Sequence, residues 1–182
     1  DERYTTVRAA LTATFERYGL PQRITADNGP PWGSASAPGL TQAEVWLLTL
    51  GVKISHSRPY HPQTQGKDER FHRTLKLELL DRRGFQSLHH CQHEFDEWRE
   101  QYNGVRPHQA LNGARPISRY RSSGRPFPSR LPPVEYYSSD TVRKVNKDGY
   151  VAYEVQHYYV GTGLKSQPVA IRPSTEDGDF DV

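Results

Sequence analysis

The sequence predicts an α/β fold followed by a separate small β unit. Three observations carry this. Helical and strand patterns alternate through residues 1–80. Residues 122–133 are rich in Pro, Ser and Arg, a linker composition. From Asp140 onward, β-branched and aromatic residues come in short runs separated by glycines.

Residues 1–18 read as an amphipathic helix. Tyr4, Val7, Leu11, Phe15 and Tyr18 form one stripe, Gly19 is placed to close the helix and Pro21 ends it. Gln22 to Ala26 is a short run with a β-branched centre, read as a strand. Asp27-Asn28-Gly29 follows directly. A carboxylate at the carboxyl end of a strand sits where open α/β sheets place function, although Asp-Asn-Gly is also ordinary turn chemistry. Residues 30–38 are a loop, and Thr41 with Glu44 forms a capping box for a helix that stops at Gly51. Val52 to His56 alternates as a strand. The two strands are expected to lie parallel and adjacent.

A third helix follows Gly66. At 100° per residue, Phe71, Leu75 and Leu79 share one face, with Glu69, His72, Arg73 and Lys76 opposite. From spacing alone the polar face reads as solvated charge pairs. Ser87 caps a fourth helix with Leu88, Cys91, Phe95, Trp98 and Tyr102 as its apolar stripe. His89 and His93 on this helix have metal-ligand spacing, but no third ligand is indicated, so zinc is not expected. Pro116 opens a short helix. The late β runs are 141–145, 150–155, 158–160 and 168–172, with Gly149, Gly161 and Gly163 at turns.

The chain carries 24 Lys+Arg against 21 Asp+Glu, a net charge of only +3. The charge is uneven: residues 99–147 hold ten basic and three acidic side chains, which points to a polyanion partner. The single Cys91 excludes an intrachain disulfide framework and suits a reducing, cytoplasmic setting. No run approaches the roughly 20 apolar residues of a membrane span. Met is absent and the first residues are already helical in character, which leads us to expect a segment of a longer protein.

Two strings carry a resemblance. One runs Pro59-Tyr60-His61-Pro62-Gln63-Thr64-Gln65-Gly66-Lys67-Asp68-Glu69-Arg70-Phe71-His72-Arg73-Thr74-Leu75-Lys76. The other is Tyr102-Asn103-Gly104-Val105-Arg106-Pro107-His108-Gln109-Ala110-Leu111. With Asp27-Asn28-Gly29 upstream, they resemble bacterial insertion-sequence transposases of the retroviral-integrase type. These form the branch of the Asp-Asp-Glu superfamily named for its metal-binding triad.

The resemblance implies a ribonuclease H-like integrase core over residues 1–121, a linker over 122–139 and an SH3-like β-barrel over 140–182. It makes Asp27 the second acid and Glu69 the third, 42 positions later, both catalytic metal ligands for Mg²⁺ or Mn²⁺. It places Tyr60, Gln63, Gln65, Lys67, His72, Arg73 and Lys76 against DNA, both transposon ends and target. The implied reaction is DNA cleavage and strand transfer by a homo-oligomer, with no membrane and no small-molecule substrate.

The family's first acid lies about 60 residues before its second, on an earlier strand, a spacing that fits ordinary element lengths. Only 26 residues precede Asp27 here. The core is therefore expected to be partial, lacking its first three strands, and the barrel to lack its end. The alternative function is a catalytically inactive DNA-binding remnant. The strand ending at Asp27 is expected to present an unpaired edge.

Overall fold

The computed structural model describes residues 3–33, 39–56, 66–82, 84–174 and 179–182. Two compact units result, one of residues 1–57 with 123–182 and the other of residues 58–122.

In the first unit, α1 (Tyr4–Tyr18) ends where expected: Gly19 takes φ 77° and its N–H returns to Phe15 O at 2.8 Å. Only Phe15 of the α1 stripe is fully buried, and Tyr18 stays 39% exposed. β1 (Arg23–Ala26) follows, then α2 (Gln42–Thr49), then β2 (Lys53–His56). The capping box at Thr41 and Glu44 is present with both reciprocal bonds. β1 and β2 pair in parallel, Arg23 opposite Lys53 through Ala26 opposite His56. Among the described residues β1 pairs with β2 alone.

Val52 itself lies outside the ladder and is fully buried. It joins Phe15, Leu20, Trp46, Leu47 and Leu50 in one core. Ile24, Ile54 and Phe127 pack against that core. Residues 123–127 run along it, held by polar bonds. Ser123 Oγ donates to Leu20 O at 2.6 Å, and the Arg125 guanidinium donates to the carbonyls of Pro21, Leu50 and Gly51.

The β runs of this unit are β3 (Thr141–Lys144), β4 (Tyr150–Tyr153), β5 (Gln156–Tyr159), β6 (Pro168–Pro173) and β7 (Phe180–Asp181). They form the antiparallel sheets β3-β6-β7 and β4-β5. A core of Val145, Val151, Val169 and Ile171 lies between them. The sequence put a strand through Val155, but β4 stops at Tyr153. Glu154 turns left-handed at φ 52° and Val155 is 96% exposed, so a two-residue hairpin returns the chain into β5.

One close approach ties these strands to α2. Gly163 N–H donates to Leu40 O at 2.9 Å, and Leu40 N–H to Val160 O at 3.4 Å. A Cβ on Gly163 would stand 2.3 Å from Thr41 main-chain atoms, and one on Gly161 2.4 Å from Leu40 N. Only glycine lets the two backbones meet there.

In the second unit, α3 (Gly66–Leu75) continues as a π-helical turn, Lys76–Leu80. Helix α4 (Leu88–Glu100), capped by Ser87 Oγ on His90 N–H, continues as a second π turn, Gln101–Val105. The sequence pattern announced neither π turn. Phe71 meets the rings of Trp98 and Tyr102, each at 5.6 Å. Short 3₁₀ turns at Gln109–Leu111 and Pro116–Arg119 complete the unit, the latter with Pro at its first turn.

Candidate functional site

Asp27 follows the last residue of β1 and is exposed. Its Oδ1 accepts the Gly29 N–H at 3.1 Å, so the Asp-Asn-Gly turn is built partly by the carboxylate itself. Its main-chain oxygen faces His56 Nδ1 at 2.9 Å. The other ring nitrogen of His56 lies 3.0 Å from Glu44 Oε1. Burial works against a charged His56 imidazole. The bonds to Asp27 O and to Glu44, with the negative charge of both acids, outweigh it and raise its pKa above the ordinary value.

A pH dependence follows. A raised folded pKa contributes stability that is fully present below the unfolded value of about 6.5 and is lost as pH rises through the folded value. Unfolding free energy is therefore expected to fall as pH is raised from 6.5, and His56→Gln to flatten that slope. Denaturant titrations at a series of pH values read both effects; a slope unchanged by the substitution contradicts the assignment.

Glu69 lies in the first turn of α3, in the other unit. It is exposed, as are Lys67, His72, Arg73 and Lys76, while Leu79 is buried and Phe71 and Leu75 are half-buried. The face assignment made from the sequence thus holds along α3. Tyr60, Gln63 and Gln65 lie outside the described residues.

The second motif string has a structural part that its spacing did not disclose. Glu78, inside the first π turn, accepts the Trp98 Nε1–H at 3.0 Å and also a bond from Arg106. Partial burial disfavours its charge. The Arg106 and Trp98 bonds, with the charges of Arg106 and Arg82, hold its carboxyl below the ordinary carboxylate range. His108 Nε2 stands 3.2 Å from Tyr102 O, with its ring edge-on to Tyr102 at 4.6 Å. Tyr102, Arg106 and His108 thereby brace α3 against α4.

Elsewhere, ligand atoms of His93, Glu94 and Glu97 lie within 4.8 Å of one another. Ion pairs one helical turn apart account for this: His90 with Glu94 at 3.4 Å and His93 with Glu97 at 3.7 Å. Among the described residues, no helix is long and apolar enough to cross a membrane.

Sequence reasoning missed His56. Its signal was present only in part: the capping box named Glu44, but the partner across the sheet depends on the register of β1 and β2.

Comparison with known proteins bears on the second unit most directly. Residues 50–116 match the family model of the integrase core domain. The chain is 39% identical over 69 residues to the Pol polyprotein of Feline endogenous virus ECE1, a match spanning 38% of this chain and 6% of that protein. It is 28% identical over 106 residues to the insertion element IS407 uncharacterized 31.7 kDa protein of Burkholderia multivorans, covering 58% of this chain and 36% of that one. In fold, it is similar to a chain of the simian T-cell lymphotropic virus intasome in complex with PP2A regulatory subunit B56 gamma. The TM-score is 0.51 at 16% identity, over 97% of this chain and 60% of that one. The relatives are thus insertion-element proteins and retroviral polyproteins, of which this chain spans a minor part.

Proposed function

We propose that this chain, whose residues 50–116 match the integrase core domain, serves DNA transposition by metal-dependent phosphoryl transfer. Asp27 and Glu69 are the cation ligands in this reading. The observation that supports it most is the sorting of α3: apolar side chains against α4, and Glu69 exposed beside Lys67, His72, Arg73 and Lys76.

The donor chemistry fits Mg²⁺ or Mn²⁺. Asp27 and Glu69 offer exposed hard carboxylate oxygens, with no thiolate in the proposed set. When bound, such a cation supplies charge that activates a nucleophile and stabilises a leaving oxygen. The chain's own part is to hold and orient. Asp27 is fixed through the Gly29 N–H and the His56 ring. Glu69 is carried by a helix whose other face is packed. Lys67, His72, Arg73 and Lys76 neutralise backbone phosphates and set register without reading sequence. Tyr60, Gln63 and Gln65, which precede α3 in the sequence, meet the DNA end in this reading. The surrounding architecture is read as a partial ribonuclease H-like core with an SH3-like barrel over residues 140–182. Joining two ends to a target calls for a homo-oligomer.

A second reading is a DNA-binding remnant without chemistry. Strand joining on end-sequence DNA with Mg²⁺, by a protein that also supplies the family's first acid, separates the readings.

The DNA-binding part is tested by salt. Log Kobs for a duplex is expected to fall linearly with log salt, by about 0.9 per phosphate contacted. Lys76→Ala is expected to make the slope shallower by about 1, with no change in sequence preference. A salt-independent affinity contradicts the interface.

A further inference from the structure

His56 ends β2 opposite Ala26, the last residue of β1. That register sets its ring beside the peptide that follows β1. Nδ1 stands 2.9 Å from Asp27 O and Nε2 3.0 Å from Glu44 Oε1. Both neighbours are acceptors, so both nitrogens are placed to donate.

Glu44 is anchored independently. Its Oε2 accepts the Thr41 N–H at 2.7 Å, and its own N–H donates to Thr41 Oγ1 at 3.2 Å. Glu44 is only 8% exposed, so its carboxylate sits in a fixed frame. That frame is itself held from below: Leu40, next to the cap, exchanges main-chain bonds with Val160 and Gly163. The cap is complete without His56.

Nor does Asp27 O need a protein donor for its own sake. Asp27 is exposed, and water satisfies an exposed carbonyl at little cost. What the His56 bond adds is orientation. It fixes the Asp27 peptide, while the Gly29 N–H fixes the carboxylate at Oδ1. Two restraints on one residue leave its side chain a narrow range of directions.

We propose that His56, anchored by Glu44, is a positioning residue that holds the Asp27 peptide so that its carboxylate is presented to a divalent cation. The proposal rests on the reading of Asp27 as a cation ligand. Outer partners that orient metal ligands are typically worth about 10–100-fold in metal affinity.

The test uses the 182-residue chain and Mn²⁺ alone, read as paramagnetic broadening of the Asn28 and Gly29 amide resonances. Asp27→Asn establishes whether those resonances report a site on that carboxylate. Three substitutions then divide the two bonds of His56. His56→Asn places an amide N–H where Nδ1 stood, keeping the bond to Asp27 O and giving up Glu44. His56→Gln reaches Glu44 and gives up Asp27 O. His56→Ala loses both.

The Ala and Gln variants are expected to weaken Mn²⁺ binding at least about tenfold. The Asn variant recovers most of the affinity, although Asn and Gln each keep one bond and melt alike. A structural role alone would move affinity in step with melting temperature. Affinities that follow melting temperature, or that stay at the wild-type value in all three variants while Asp27→Asn abolishes broadening, overturn the positioning role. Broadening that survives Asp27→Asn overturns the ligand reading itself, and the positioning role with it.

Discussion

Glu69→Gln is expected to reduce strand joining at least about 100-fold in a protein that also supplies the family's first acid. Outer-shell partners of a metal ligand already cost about 10–100-fold, and loss of the ligand costs more. The substitution is nearly isosteric and exchanges an anionic oxygen for an amide. Glu69 is exposed in the first turn of α3, so the helix loses no packing. Lys67, His72, Arg73 and Lys76 remain on the same exposed side, so duplex affinity is expected to stay within about threefold of wild type, with the salt slope preserved. Gel-shift titrations and joining assays on one preparation separate the two effects. Retained joining removes Glu69 from the site; joint loss of joining and binding makes its role one of DNA contact.

The largest expected effect on stability lies elsewhere. Leu47 of α2 is fully buried in the first unit's core, in a cluster with Phe15, Trp46, Leu50 and Val52. Leu47→Ala removes three carbons from a site lined by α1, α2 and β2, whose rigid elements cannot close the gap. Transfer and cavity costs together give about 2–5 kcal/mol. For a chain of this length each kcal/mol lowers Tm by about 2–4 °C, so a fall of roughly 5–15 °C is expected. Hydrogen exchange at α2 and β1 amides is expected to quicken while exchange in α3 and α4 holds, because those helices lie in the other compact unit. An unchanged melting curve contradicts the packing described.

The features legible in the sequence are those set by neighbours along the chain. The Thr41–Glu44 box, the Ser87 cap and the Gly19 helix end each need only three or four consecutive residues, and each is present. The inward face of α3 follows from helical period alone. What escaped the sequence depends on contacts between distant segments, or on turns without a marker residue. His56 finds Asp27 and Glu44 only because Ala26 pairs with His56 across the parallel ladder. The hairpin at Glu154 and Val155 has neither Gly nor Asn, so the sequence carried the strand through Val155 and set the break two residues too late. The π turns at the ends of α3 and α4 leave the apolar spacing nearly unchanged, and the Glu78, Trp98 and Arg106 cluster between them could not be read from it.

The basic residues of α3 serve the proposed activity only if Asp27 and Glu69 act on one cation site. Crystals of this chain with duplex DNA and Mn²⁺, examined by anomalous scattering, decide that point. The account predicts a Mn²⁺ peak with carboxylate oxygens of both Asp27 and Glu69 about 2.1 Å away. A peak confined to the His93 and Glu97 side chains, with the carboxylates of Asp27 and Glu69 apart, contradicts it.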